Sequence, residues 1–365
     1  MSCKPIRVLV VDDSALVRQL LTSVLEQDRT IEVVGTASDP YVARKKIKEL
    51  NPDVLTLDVE MPRMDGLTFL RNLMRLHPMP VVMVSSLTER GADITLEALE
   101  LGAIDFVTKP KVDIAHQFES YQQELIDKIH AAAKVSRTTL EQRSERLNSQ
   151  SHATTRNTAD AVIHKSKSSR FITTDKIIAI GASTGGTEAI KVILETLPPD
   201  MPGIVITQHI PPAFSAPFAA RMNRVSALSV CEATDGANIL TGNVYIAPGD
   251  QHLLVERFGG HYRCRLNDGP PVSRHKPSVD VLFRSMAQQV GPNGIAAILT
   301  GMGDDGAQGM LEIKEAGAET IAQDENSSVV WGMPGSAVKL MATKKILPLD
   351  KIADTLVDWA RKTSI

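Results

Sequence analysis

Two series of short apolar runs rich in β-branched residues lie on either side of a polar stretch, and a longer segment of helical period follows nearly every run. In the first series the runs are Ile6 to Val11, Ile31 to Gly35, Val54 to Leu57, Val81 to Val84 and Ile104 to Val107. Runs that are apolar almost throughout have no solvent-facing side, so they predict a parallel sheet covered by helices on both faces. After Ser14, the residues Leu16, Val17, Leu20, Leu21, Val24 and Leu25 fall on one helical stripe, as a covering helix requires. The second series is Ile177 to Ile180, Ile204 to Thr207, Val244 to Ala247, Ile295 to Thr300 and Thr320 to Ala322, with helical segments after Gly186, Phe214, Ser278, Gly306 and Asp350. Leu253 to Val255 and Tyr262 to Leu266, flanking Gly259-Gly260, predict an inserted hairpin. The expected fold class is α/β: two doubly wound parallel-sheet domains joined by a polar linker, the first flavodoxin-like and the second Rossmann-like.

The boundaries expected from these shifts are 1–125, a linker at 126–175, and 176–365. Runs such as Lys165-Ser166-Lys167-Ser168-Ser169-Arg170 offer too little apolar surface to offset their ordering entropy, although the first dozen residues of the linker can extend the last helix. A length of 365 residues accommodates two cores. The net charge of −3 and the lack of a basic patch argue against a nucleic-acid partner. Cys3, Cys231 and Cys264 have neither CxxC spacing nor an even number, so no disulfide frame or zinc site is expected. The first strand-like run begins at Ile6 and no apolar segment reaches membrane-spanning length, so a cytoplasmic location is expected.

Parallel strands bring their carboxyl ends to one edge, where doubly wound sheets place ligands. Asp12 and Asp13 end the first run and Asp58 follows the third, so three carboxylates converge there. Such a cluster calls for a cation, and hard oxygen ligands suit Mg²⁺. Ser85 follows the fourth run and Lys109-Pro110 the fifth, adding a hydroxyl and an ammonium. An Asp pair before a helix is by itself only an N-cap, but this combination resembles the response-regulator receiver family over about residues 5 to 120. The resemblance implies that Asp58 is the phosphoacceptor, taking a phosphoryl group from a histidine kinase. It also implies that Asp12 and Asp13, with Asp58, hold Mg²⁺, and that Lys109 and Ser85 contact the phosphoryl oxygens.

In the second domain, the strand Ile177 to Ile180 enters Gly181-Ala182-Ser183-Thr184-Gly185-Gly186, a G-x-S-x-G turn that presents a serine hydroxyl at the carboxyl edge. A nucleotide-cradling turn would need G-x-G-x-x-G spacing or a P-loop lysine, and both are missing. A serine nucleophile needs a base and the base needs an orienting group. His209 follows the Ile204 run, ahead of Ile210-Pro211-Pro212, and Asp304 and Asp305 follow the Ile295 run. His252 and His261 flank the hairpin, and His275 lies between Arg274 and Lys276, cations that oppose an imidazolium, so His209 is favoured.

The chain order Ser, His, Asp differs from that of α/β-hydrolases. The motifs around Ser183, Gln208-His209-Ile210, Pro277-Ser278-Val279-Asp280 and Thr300-Gly301-Met302-Gly303-Asp304-Asp305-Gly306-Ala307 together resemble the chemotaxis protein-glutamate methylesterase (CheB) family. That resemblance implies Ser183 as nucleophile, His209 as base and Asp305 as its orienting carboxylate, with no cofactor for the esterase step. It further implies glutamyl methyl esters of methyl-accepting chemotaxis receptors as substrate, with glutamine deamidation as a second activity, and membrane contact only through those receptors. Donors near Gly301 to Gly303 or after Ser183 are expected to form an oxyanion hole. A DNA-binding output domain is disfavoured because residues 176 to 365 alternate strand and helix rather than forming a helical module with a basic recognition helix.

Overall fold

A computed structural model of the chain describes residues 4–61, 65–86, 89–109, 118–135 and 176–362. The linker expected at 126–175 lies outside these for the most part, but its first residues belong to a helix that ends at Ala133.

The first domain comprises β1 (Ile6–Val11), α1 (Ala15–Leu25), β2 (Ile31–Ala37), α2 (Pro40–Leu50), β3 (Val54–Asp58), α3 (Gly66–Leu76), β4 (Val81–Ser85), α4 (Glu89–Glu100), β5 (Asp105–Thr108) and α5 (Phe118–Ala133). Its strands lie in the order β2-β1-β3-β4-β5, all parallel. β3 and β4 are buried at every position, which accounts for their nearly continuous apolar pattern. Ser14 caps α1 by accepting from the Val17 N–H, and Asp39 caps α2 through the Tyr41 and Val42 N–H groups. Leu16, part of the stripe read from the sequence, sits in the first turn of α1 and is 63% exposed, whereas Leu21, Val24 and Leu25 are fully buried.

The second domain runs β6 (Ile177–Ala182), α6 (Gly186–Thr196), β7 (Gly203–Gln208), α7 (Pro212–Val225), β8 (Ser229–Glu232), β9 (Asn243–Ile246), β10 (His252–Phe258), β11 (His261–Asn267), α8 (Val279–Gln289), β12 (Gly294–Ile298), α9 (Ala307–Glu315), β13 (Glu319–Gln323), α10 (Met333–Lys339), β14 (Lys345–Leu347) and α11 (Leu349–Arg361). Its parallel sheet has the order β14-β13-β12-β6-β7-β9-β8, and β10 and β11 form the expected antiparallel hairpin. Three elements were not legible in the sequence. β8 and β14 are short edge strands with little apolar pattern, and α10 contains Pro334 and Gly335, poor helix formers.

The sheet order reverses direction at β6, with β7 on one side and β12 on the other. This switch point opens a crevice at the carboxyl ends of both strands. Phe283 of α8 is fully buried between β6 and α9: a Cβ at Gly181 would stand 3.2 Å from its ring, and one at Gly309 would stand 2.7 Å from its own Cβ. Phe283→Ala is expected to destabilise this domain by about 3–5 kcal/mol through cavity formation. Denaturant unfolding of the full chain checks this.

One apolar cluster crosses between the domains. It includes Leu9, Leu57, Leu96, Leu99 and Phe106 of the first and Ile190, Phe214, Phe218 and Met222 of the second. The Phe106 and Phe214 rings stack at 4.6 Å, a contact worth roughly 0.5–1.5 kcal/mol beyond its buried area. Beside it, Glu100 at the end of α4 receives Arg221 Nε at 2.6 Å and lies 3.4 Å from the Lys191 ammonium. Burial alone would raise the Glu100 carboxyl, but these cations overcome it and hold it below its usual range.

Candidate functional site

At the carboxyl edge of the first sheet, Asp12 and Asp58 are buried and Asp13 is exposed. One carboxylate oxygen from each of the three falls within 4.8 Å of the others. Lys109 Nζ stands 2.8 Å from Asp58 Oδ2 and 3.1 Å from Asp12 Oδ2, and those two buried oxygens have no further hydrogen-bond partner among the described residues. Three oxygen donors with unspent lone pairs fit a hard divalent cation that keeps part of its water shell. Ser85 is also buried, but its Oγ is engaged with Thr95 Oγ1 at 2.7 Å, so it lies at the edge without yet facing the carboxylates as a free donor.

Burial pushes the Asp58 carboxyl up to about 6, helped by the neighbouring Asp12 charge and opposed by Lys109. The folded chain therefore holds this proton more tightly than the unfolded one. Stability falls as pH rises from about 3.8 towards about 6, and the penalty is complete above that window. Asp58→Asn is expected to stabilise the metal-free first domain by about 2 kcal/mol at neutral pH, with the gain shrinking near pH ~4. Thermal unfolding in chelator at both pH values checks the sign.

The second site lies at the β6 switch point. Ser183 immediately follows β6, and its backbone is fixed on both sides: its N–H donates to Thr300 O at 3.0 Å, and its carbonyl accepts from Gln208 Nε2 at 2.9 Å. The left-handed residue of this G-x-S-x-G turn is Gly185, with φ 76°, and Ser183 has no positive φ. A side chain at Gly185 would collide with Val329 as well as strain the backbone.

His209 follows β7, and its N–H donates to Ala182 O at 3.1 Å, tying it to the residue before Ser183. Its Nε2 lies 2.8 Å from Asp305 Oδ2. Asp305 is 1% exposed while Asp304 is exposed at the surface, which separates the two adjacent carboxylates left open by the residue pattern. Asp305 is held by the start of α8: Ser278 Oγ donates at 2.8 Å, Val279 N–H at 2.7 Å and Asp280 N–H at 3.2 Å. A helix N-terminus favours negative charge. Burial would raise the Asp305 carboxyl, but the hydrogen bonds from His209, Val279 and Ser278 outweigh it and hold it below the usual carboxylate range. The motif Pro277-Ser278-Val279-Asp280 is thereby explained as the cradle of Asp305.

With Asp305 ionised, the neutral His209 ring carries its proton on Nε2. Nδ1 is then a bare base, and it is buried with no hydrogen-bond partner among the described residues. Ser183 and His209 line one cavity of about 550 Å³, together with Met302 and Gly303. No hydrogen bond joins Ser183 Oγ to the ring among the described residues, a gap common in ligand-free hydrolases. Of the donors anticipated at Gly301 to Gly303, the Gly301 N–H is spent on Val330 O, and the N–H of Ser183 itself is spent on Thr300 O. The Met302 and Gly303 amides stand at the cavity without such a partner among the described residues.

Two features of this site were missed in the sequence. His275, set aside because of its cationic neighbours, stacks on His209 with centroids 3.7 Å apart, and Lys276 is neutralised by Asp268 at 2.8 Å. The first domain also supplies cavity walls: Asp105, Phe106, Glu124, Asp127 and Lys128. Thr184, next to Ser183, donates its hydroxyl to Asp105, whose other oxygen lies 3.5 Å from Lys128. Spacing within one domain carries no signal for a wall that another domain contributes.

A family model described as CheB methylesterase matches residues 178–356, and one described as response regulator receiver domain matches residues 8–117. The protein-glutamate methylesterase/protein-glutamine glutaminase 1 of Xanthomonas euvesicatoria pv. vesicatoria is 60% identical over 353 residues, covering 97% of each chain. The protein-glutamate methylesterase/protein-glutamine glutaminase of Hydrogenovibrio crunogenus is 58% identical over 373 residues, covering 98% of this chain and 99% of its own. Among solved structures, the Thermotoga maritima CheB methylesterase catalytic domain is 38% identical, covers 50% of this chain and 97% of its own, and has a TM-score of 0.49.

Proposed function

The chain belongs to the protein-glutamate methylesterase family, a receiver domain joined to a methylesterase domain, and on that premise we propose that it hydrolyses glutamyl methyl esters of chemotaxis receptors under control of phosphorylation at Asp58. The observation that carries this reading is the buried His209–Asp305 pair beside Ser183 in one cavity at the sheet edge. In the proposed reaction, Ser183 Oγ attacks the ester carbonyl and His209 Nδ1 takes the hydroxyl proton. The tetrahedral oxyanion meets the Met302 and Gly303 amides. Collapse releases methanol, protonated by His209, and leaves an acyl-serine. Water, deprotonated by the same nitrogen, then frees the glutamate and restores Ser183. A receptor glutamine follows the same path with ammonia as the leaving group.

Asp12, Asp13 and Asp58 would hold Mg²⁺, which supplies charge neutralisation as Asp58 accepts a phosphoryl group from a histidine kinase. Lys109, already 2.8 Å from Asp58, would pair with the phosphoryl oxygens, and Ser85 would turn from Thr95 to donate to them. With respect to location, no helix among the described residues is long and apolar enough to cross a membrane. We assign the chain to the cytoplasm, reaching membranes through its receptor substrates.

Control follows from the position of the receiver domain. Asp105 and Phe106 of β5 and the acidic face of α5 line the same cavity as Ser183, so a docked receiver limits access for a receptor helix. Phosphorylation would shift the equilibrium between docked and undocked states. Two measurements test these readings by methanol release from methylated receptor membranes. Ser183→Ala is expected to abolish release while Asp58 still accepts phosphate, and retained hydrolysis would falsify the nucleophile assignment. Arg221→Glu, which turns the Glu100 pair repulsive, is expected to raise release without phosphodonor several-fold and to shrink the further gain on phosphorylation. An unchanged basal rate would remove the docking model.

A further inference from the structure

We propose that His275 is a positioning residue for hydrolysis: its ring, stacked on that of His209, fixes the plane of the base so that Nδ1 addresses Ser183. This rests on the hydrolase reading above. The argument begins with which nitrogen Asp305 holds. Nε2 lies nearer than Nδ1 to the Cβ–Cγ axis about which an imidazole turns. A carboxylate at Nδ1 therefore locks both ring position and ring plane. A carboxylate at Nε2, as here at 2.8 Å, locates the far end of the ring but resists rotation about the axis less firmly. Such rotation would swing Nδ1 away and bring Cδ2 into its place.

Among the described residues no other hydrogen bond restrains the ring, because Nδ1 has no partner there. A further restraint on its plane is the face-to-face packing with His275, at 3.7 Å and an interplanar angle of 10°. The segment that delivers His275 is built for the purpose. Val272 and His275 exchange backbone hydrogen bonds at 3.0 and 2.9 Å, closing a turn through Ser273 and Arg274, both left-handed at φ 51° and 69°. Two successive non-glycine residues in that region are strained, and such strain is kept where geometry is required. Three residues after His275, Ser278 binds Asp305. One short segment therefore sets both the far end of the base and its plane.

The charge state of His275 suits this role. Burial pushes its imidazole down to about 3, with His209, Arg274 and Lys128 adding to the effect and Asp305 opposing it. A ring that stays neutral offers its π face to the imidazolium formed when His209 takes the serine proton. A second cation there would oppose that step.

The test uses the phosphorylated full chain with His275→Ala and His275→Phe. Ser183 labelling by a fluorophosphonate reports base activation without any receptor, methanol release gives kcat and KM, and ¹⁵N NMR reports the His209 ring. His275→Ala is expected to lower labelling and kcat about tenfold or more with KM little changed, and to show His209 exchanging between ring orientations. His275→Phe, a flat ring without an ionisable group, is expected to restore most of the rate and a single His209 signal with Nδ1 bare. Wild-type labelling in His275→Ala overturns the proposal, as does a Phe variant whose His209 signals match wild type while its labelling stays low. Should His275→Ala fail to fold, the Phe variant decides alone, since near-wild-type labelling supports the role and its loss overturns it. A wild-type chain that neither labels nor releases methanol would instead sink the hydrolase reading.

Discussion

Parallel pairing is the constraint from which the rest of this molecule follows. A sheet whose strands all run in one direction must put the carboxyl end of every strand at one edge. The first sheet does this with Asp12, Asp58, Ser85 and Lys109, and the second with Ser183, His209 and the turn leading to Asp305. Residues as distant in the chain as Ser183 and Asp305 meet for no reason beyond strand direction. The two edges then face different chemistry because the side chains delivered there differ, acidic in one case and a hydroxyl with a base in the other.

Concentrating carboxylates at buried edges creates an electrostatic problem, and each one has a separate solution. Asp305 is satisfied by a helix start and an imidazole, so it stays charged. Glu100 is satisfied by two cations across the domain boundary. Among the described residues Asp58 has only Lys109 and the Glu60 N–H, and its charged form is disfavoured by burial. Asp280, with the Gly309 N–H as its main donor, is pushed up to about 6 by burial and by the nearby Asp305. The group with the least internal compensation in the first domain is the one whose surroundings suit an external cation.

Much of the fold is legible in the sequence because buried parallel strands are nearly pure runs of Val, Ile, Leu and Ala. The centres of all the sheet strands read in this way coincide with observed strands, and the hairpin around Gly259-Gly260 is longer than its apolar part suggests because polar residues continue the pairing to His252 and Asn267. Lys345–Leu347 carries no such signal, since an edge strand packs on one side only. At the second site, strand-end position points to Ser183 and His209, and burial separates Asp305 from Asp304. The part played by His275 is not legible: flanking cations count against it in a linear reading, yet one of them is paired with Asp268 and the ring points inward. Contacts between domains leave no periodic trace in either one, so Asp105 and Arg221 are visible only in three dimensions.

The strand β5 carries a consequence for how the two domains exchange information. Phe106, stacked on Phe214, and Lys109, paired with Asp58, are three residues apart, a span of roughly 10 Å along an extended chain. On the proposed reading, input and output would share one stiff lever instead of a long relay through the core. Binding equilibria coupled through such a lever are reciprocal. Whatever favours separation of the domains from the phosphorylated side must be favoured in return from the catalytic side, so a receptor helix that occupies the esterase cavity and displaces the receiver would itself make Asp58 a better acceptor. Substrate abundance would then enter the signal as an input, alongside the kinase.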